Sequence, residues 1–155
     1  MKKVLIVDDN LEERKIFSTY FQFVGGHVVE APDGQEGLKA ARDHQPDLII
    51  MDLSMPVMDG WEALRRLQSD ADLRRIPVIA VTAHHLPRSE LEQAGFRGYL
   101  EKPLAPYRVL NEVERCLGPI HGLAVENPEP VRTRTFETPL REKSSLQHWL
   151  GSAGR

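Results

Sequence analysis

The sequence predicts an α/β fold, a doubly wound sandwich around a five-stranded parallel sheet. Two observations carry this. From Met1 to Leu117, short β-branched runs alternate with stretches of helical periodicity, and the connections between them are short. Four of the runs then end on a chemically pointed residue: Val4–Val7 on Asp8-Asp9, Leu48–Met51 on Asp52, Val78–Val81 on Thr82, and Gly98–Leu100 on Glu101-Lys102-Pro103. In open parallel sheets, ligands bind outside the carboxyl ends of the strands. Three carboxylates, a hydroxyl and an ammonium are therefore expected to converge on one small pocket.

The elements follow in order. Val4–Val7 is the first strand, continuously apolar and so expected to be buried on both faces. Asn10 and Glu13 resemble a capping box ahead of a helix whose inward stripe is Ile16, Phe17, Tyr20, Phe21 and Val24. His27–Glu30 is a weaker run, suited to a sheet edge. Asp33 and Glu36 open a second helix, through Leu38 and Ala41. Leu48–Met51 is a buried strand, and Asp59 with Glu62 opens a third helix with Trp61, Leu64 and Leu67 inward. Pro77–Val81 is the fourth strand. A shorter helix over Leu86–Ala94 is ended by Gly95. Gly98–Leu100 precedes a last helix, Ala105–Leu117, with Val109, Leu110 and Val113 on one face and Gly118-Pro119 as the stop.

The domain is placed at 1–118. Residues 119–155 lose the βα pattern and are punctuated by Pro119, Pro128, Pro130 and Pro139. They are expected to be an irregular, mobile extension rather than a separate domain. Leu146, Trp149 and Leu150 could make one amphipathic turn there. Apolar and charged contents of 41% and 28% are ordinary for a globular chain. A net charge of −3 gives no general attraction to nucleic acid. Cys116 is the only cysteine, which excludes an internal disulfide and fits a reducing, cytoplasmic setting. The apolar run after Met1-Lys2-Lys3 is too short for a signal peptide or a membrane span.

The strand-end set suits a divalent cation plus a phosphoryl group. An aspartate that accepts a phosphoryl group must not repel its donor, and charge on the equatorial oxygens must be stabilised. Carboxylates about 5 Å apart repel by about 3 kcal/mol at an effective dielectric near 20, which favours binding a hard cation. Mg²⁺ fits because it takes oxygen ligands and keeps several waters. Thr82 can hydrogen-bond one phosphoryl oxygen and Lys102 can pair with another. Asp52 is the hardest to explain structurally, since an acid closing an apolar strand is costly without a partner.

Val7-Asp8-Asp9-Asn10, Asp52-Leu53-Ser54-Met55-Pro56 followed by Met58-Asp59-Gly60, Val81-Thr82-Ala83 and Lys102-Pro103 together resemble the receiver domain of bacterial two-component response regulators, over Met1–Leu117. The resemblance implies a flavodoxin-like fold with strand order 2-1-3-4-5, like the single-domain chemotaxis regulators. It implies that Asp52 is the phosphoacceptor. Mg²⁺, or Mn²⁺ in its place, would be bound by Asp9, Asp52 and the Ser54 carbonyl, with Asp8 acting through water. Thr82, the Ala83 backbone N–H and Lys102 would hold the phosphoryl group. The Lys102–Pro103 bond would be cis, with Pro103 the residue that makes that isomer cheap. On phosphorylation Thr82 would move toward the phosphoryl group and Tyr99 would turn into the vacated space.

The implied function is a phosphorelay switch, not an enzyme: a phosphoprotein that takes its phosphoryl group from a histidine kinase or a histidine phosphotransfer protein and changes its affinity for a protein target. The docking face would lie around Tyr99 and Tyr107, and a homodimer is a further option. A Mg²⁺-dependent phosphatase of the haloacid-dehalogenase type shares the Asp, Ser/Thr and Lys set. It differs in order, because here the acidic pair comes first and the lone Asp later. A flavodoxin-like flavin binder lacks support, since no Ser/Thr/Gly phosphate loop follows the first strand. His84 and His85 are adjacent and so poorly placed to share one metal.

Overall fold

The computed structural model describes residues 1–120. The amphipathic turn expected at Leu146, Trp149 and Leu150, like the rest of 121–155, lies outside them. The elements are β1 (Lys3–Val7), α1 (Leu11–Phe23), β2 (His27–Ala31), α2 (Gly34–His44), β3 (Leu48–Asp52), α3 (Gly60–Ser69), β4 (Val78–Thr82), α4 (Arg88–Ala94), β5 (Gly98–Glu101) and α5 (Pro106–Leu117). The strands pair in parallel in the order β2-β1-β3-β4-β5. The chain first moves outward from β1 to β2, then crosses back to β3. The strand order therefore reverses between β1 and β3, and that is where the carboxyl ends open a crevice.

Alternation along the strands builds two cores. Leu5, Val7, Ile49, Met51, Val78 and Ala80 face α2, α3 and α4, meeting Leu38, Leu64, Leu67, Leu91 and Phe96. Val4, Ile6, Leu48, Ile50, Ile79 and Val81 face α1 and α5, meeting Phe17, Phe21, Val109, Leu110 and Val113. β3 and β4 are buried along their whole length, whereas β2, at the edge, is mostly half-buried. The last core residue described is Ile120, two positions past Gly118 and packed with the second cluster.

Caps set the helix starts. Asn10 accepts from the N–H groups of Glu12 and Glu13, Asp33 from Glu36 and Asp59 from Glu62. α4 begins two residues later than the sequence suggests, because Pro87 stands at its N-cap position without a side-chain hydrogen bond to extend the turn. The stripe on α1 is narrower than expected. Phe17, Phe21 and Val24 are buried, but Ile16 is 55% exposed and Tyr20 only half-buried. Trp61 is also half-buried and packs edge-on against Phe96, with ring centroids 5.5 Å apart.

Candidate functional site

Sheet register brings the strand ends level. Val7 pairs with Met51, so Asp8, one residue on, stands beside Asp52. Asp52 pairs with Val81, which places Thr82 one step beyond it, and Thr82 pairs with Glu101, immediately before Lys102. Close backbone approach fixes the β3 end further. A Cβ on Gly60 would collide with the Asp52 carbonyl and lie 2.9 Å from Leu53 Cα, so α3 can start against this strand end only with glycine there.

Carboxylate oxygens of Asp8, Asp9 and Asp52 all lie within 4.8 Å of one another, the first and last buried and Asp9 exposed. Oxygen-only ligands at this spacing suit a hard cation such as Mg²⁺. Lys102 Nζ lies 3.0 Å from Asp52 Oδ2 and 3.3 Å from Asp8 Oδ2. Burial pushes the Asp8 carboxyl above its ordinary value, against the pull of the Asn10 N–H and of Lys102. Burial works against the Lys102 ammonium, but hydrogen bonds to Glu13 and Asp52 and the charges of Asp52 and Asp8 outweigh it and hold its pKa above the usual lysine range.

The remaining residues surround this centre. The Ser54 N–H donates to Asp52 Oδ1 at 2.9 Å, which orients the carboxylate. The Thr82 hydroxyl is turned to its own loop, donating to the His84 carbonyl at 3.1 Å and accepting from the His84 N–H at 3.0 Å. Ala83 is exposed at the mouth. Tyr99 is half-buried against the cluster under α4. The Lys102–Pro103 peptide is cis, and the Lys102 N–H donates to the Thr82 carbonyl at 2.8 Å. His85 points elsewhere, its Nδ1 2.6 Å from Glu101 Oε1.

Two neighbours of the pocket do not follow from the strand-end pattern. Glu13 Oε2 lies 2.6 Å from Lys102 Nζ. Read as the second half of a capping box, Glu13 should accept from the Asn10 N–H, but that N–H goes to Asp8 Oδ1 at 2.8 Å, leaving Glu13 to Lys102. Arg14 donates to the Asp8 carbonyl at 2.5 Å and to Glu30 Oε2 at 3.1 Å, tying α1 to both β1 and β2. Both residues lie in the first turn of a helix, where acidic and basic side chains are ordinary, so their identity alone signals nothing.

The response regulator receiver domain matches residues 4–114. The chain belongs to this family. Among its relatives is the polar-differentiation response regulator DivK of Brucella anthropi, 38% identical over 119 residues that span 76% of this chain and 97% of the relative. Among solved structures, the chemotaxis response regulator CheY4 of Vibrio cholerae superposes with a TM-score of 0.70 at 34% identity, covering 74% of this chain and 98% of its own. The receiver domain of a sensor histidine kinase from Pseudomonas aeruginosa gives a TM-score of 0.69 at 30% identity, covering 76% of this chain and 98% of its own. Its structure holds a magnesium ion coordinated in the active site cleft. The fold expected from the sequence is the receiver fold found here, with the same strand order. Among the described residues no helix is long and apolar enough to cross a membrane.

Proposed function

We propose that this receiver is a phosphorelay switch in which Asp52 accepts a phosphoryl group from the phosphohistidine of a kinase or phosphotransfer protein. The observation that carries the reading is the convergence of the Asp8, Asp9 and Asp52 carboxylates within 4.8 Å, with the Lys102 ammonium on two of them. Asp8, Asp9, Asp52 and the Ser54 carbonyl would hold Mg²⁺, or Mn²⁺ in its place. The bound cation supplies neutralisation of the carboxylate charge that otherwise repels a phosphoryl donor. The chain's own groups do the rest. The Ser54 N–H holds one Asp52 oxygen, leaving the other, now on Lys102, to attack phosphorus as the phosphorus–nitrogen bond to the donor histidine breaks and that nitrogen leaves with the electron pair. Lys102, the Thr82 hydroxyl and the Ala83 N–H then take the phosphoryl oxygens.

Thr82 must leave the His84 backbone to do so, and this rearrangement is the conformational event that Tyr99 reads. The output is a change in protein–protein affinity around Tyr99 and Tyr107, not turnover of a substrate. The chain acts in the cytoplasm on a protein target, without nucleic acid, as a monomer or a homodimer. Residues 1–118 carry the phosphoryl chemistry and 119–155 form an extension to it. Incubation with acetyl phosphate and Mg²⁺ should add one phosphoryl group, detected as a mass increment that base and hydroxylamine remove, and Asp52→Asn should abolish it. Labelling that survives this substitution would refute the assignment.

A further inference from the structure

We propose that Glu13 is a positioning residue for Lys102, a brake that competes with an incoming phosphoryl group for the ammonium. The inference rests on the reading of Asp52 as phosphoacceptor. A lysine ammonium has three N–H donors. Here three carboxylate oxygens surround it, from Glu13 at 2.6 Å, Asp52 at 3.0 Å and Asp8 at 3.3 Å. The shortest contact is to the one residue outside the strand-end set. Asp8 and Asp52 lie on the inner side, with side chains 5% and 7% exposed, whereas Glu13, at 36%, stands on the solvent side. Lys102 is therefore drawn toward the mouth of the pocket as well as toward Asp52.

Glu13 is held where it is by a stiff helix start. Its backbone N–H is bonded to Asn10 Oδ1 at 3.2 Å. The next residue, Arg14, is fixed to the Asp8 carbonyl and to Glu30. Phosphoryl transfer from acetyl phosphate forms a bond from an Asp52 oxygen to phosphorus and breaks the phosphorus–oxygen bond to acetate, which leaves with the electron pair. The transferring group needs a cation on its equatorial oxygens as it moves. An ammonium shared with Glu13 must partly give up that carboxylate to serve. The acidic group thus costs rate at rest and competes with the phosphoryl group afterwards.

Two measurements on the full chain test this. In the first, phosphorylation rates with acetyl phosphate and Mg²⁺ are compared for the wild type, Glu13→Gln, Glu13→Asp, Lys102→Ala and the Glu13→Gln/Lys102→Ala double variant. In the second, affinity for beryllofluoride with Mg²⁺, a phosphoryl mimic that undergoes no turnover, is measured by titration for the wild type and Glu13→Gln. Glu13→Gln should be phosphorylated three- to tenfold faster and bind beryllofluoride tighter by a similar factor, while Glu13→Asp stays near wild type. The gain should vanish in the Lys102→Ala background, because Glu13 acts through the ammonium. A Glu13→Gln variant no faster than wild type overturns the inference. So does a gain that persists without Lys102, which would mean simple repulsion of the donor. If the wild type takes no phosphoryl group on Asp52, the reading of the site itself fails, and this inference with it.

Discussion

At rest the pocket holds more negative than positive charge. The carboxylates of Asp8, Asp9, Asp52 and Glu13 share one ammonium. Asp9 is the exposed member and has no ion pair among the described residues. Its substitution by asparagine should relieve repulsion without leaving a partner stranded. The thermal midpoint of Asp9→Asn in metal-free buffer should therefore lie above that of the wild type, and the upward shift produced by Mg²⁺ should shrink. An equal Mg²⁺-induced shift in both proteins would remove Asp9 from the ligand set. The residues of this pocket were legible in the sequence because each closes an apolar strand, where a polar group needs a reason to be. Glu13 was not, because a glutamate three residues after Asn10 already has a complete local explanation as a cap. Only the coordinates show that the Asn10 N–H has gone to Asp8.

Between β3 and α3 the backbone is strained at one point. Val57 has φ of 68° and is 77% exposed. A β-branched side chain in the left-handed region crowds its own carbonyl, at a cost of about 1–2 kcal/mol. Val57→Asn keeps the turn and removes most of that cost, so chemical denaturation should show a gain of about 1 kcal/mol. A loss would mean that the valine makes contacts that outweigh its strain.

The first helix is tied to the edge strand by charge. Glu30 pairs with Arg14 at 3.1 Å and Lys15 at 3.0 Å, and the Arg14 side chain is only 11% exposed. Burial raises the Glu30 pKa, but the hydrogen bonds from Lys15 and Arg14 outweigh it and leave the value below the ordinary 4.5. A carboxylate depressed on folding contributes stability above its unfolded value and loses it as pH falls through the folded one. Glu30→Gln should therefore cost about 1 kcal/mol near neutrality. The gap to wild type should close below the ordinary glutamate range, and a gap that stays constant with pH would rule out the ion pairs as its cause. The strand and helix types were readable from period alone, since β3 and β4 are unbroken apolar runs. The outward turn of Ile16 was not: Phe17 and Phe21 suffice to cover that part of the sheet, and sequence spacing cannot say which of several apolar neighbours the crossing angle will bury.

At the scale of the described residues, 1–120, there is a chemical end, at the carboxyl edge of the sheet, and a structural end, where α1, β2 and the last residues of α5 close the second core. Ile120 belongs to the latter. It is 6% exposed, its N–H donates to Glu114 Oε1 at 3.3 Å, and its side chain lies near Gly26, where a Cβ would stand 3.5 Å from it. Gly118-Pro119 stops the helix without ending the core, a distinction that composition cannot make because the apolar residue falls after both breakers. Two truncations separate these roles. Ending the chain after Ile120 should leave the denaturation midpoint and acetyl-phosphate labelling of Asp52 as in the full chain, because every pocket residue and both clusters remain. Ending it after Gly118 should keep the labelling but lower stability by about 1.5–3 kcal/mol, the contribution of a buried isoleucine. Equal stability of the two truncated forms would show that Ile120 adds nothing to the core, and loss of labelling in the longer one would show that residues beyond it complete the domain.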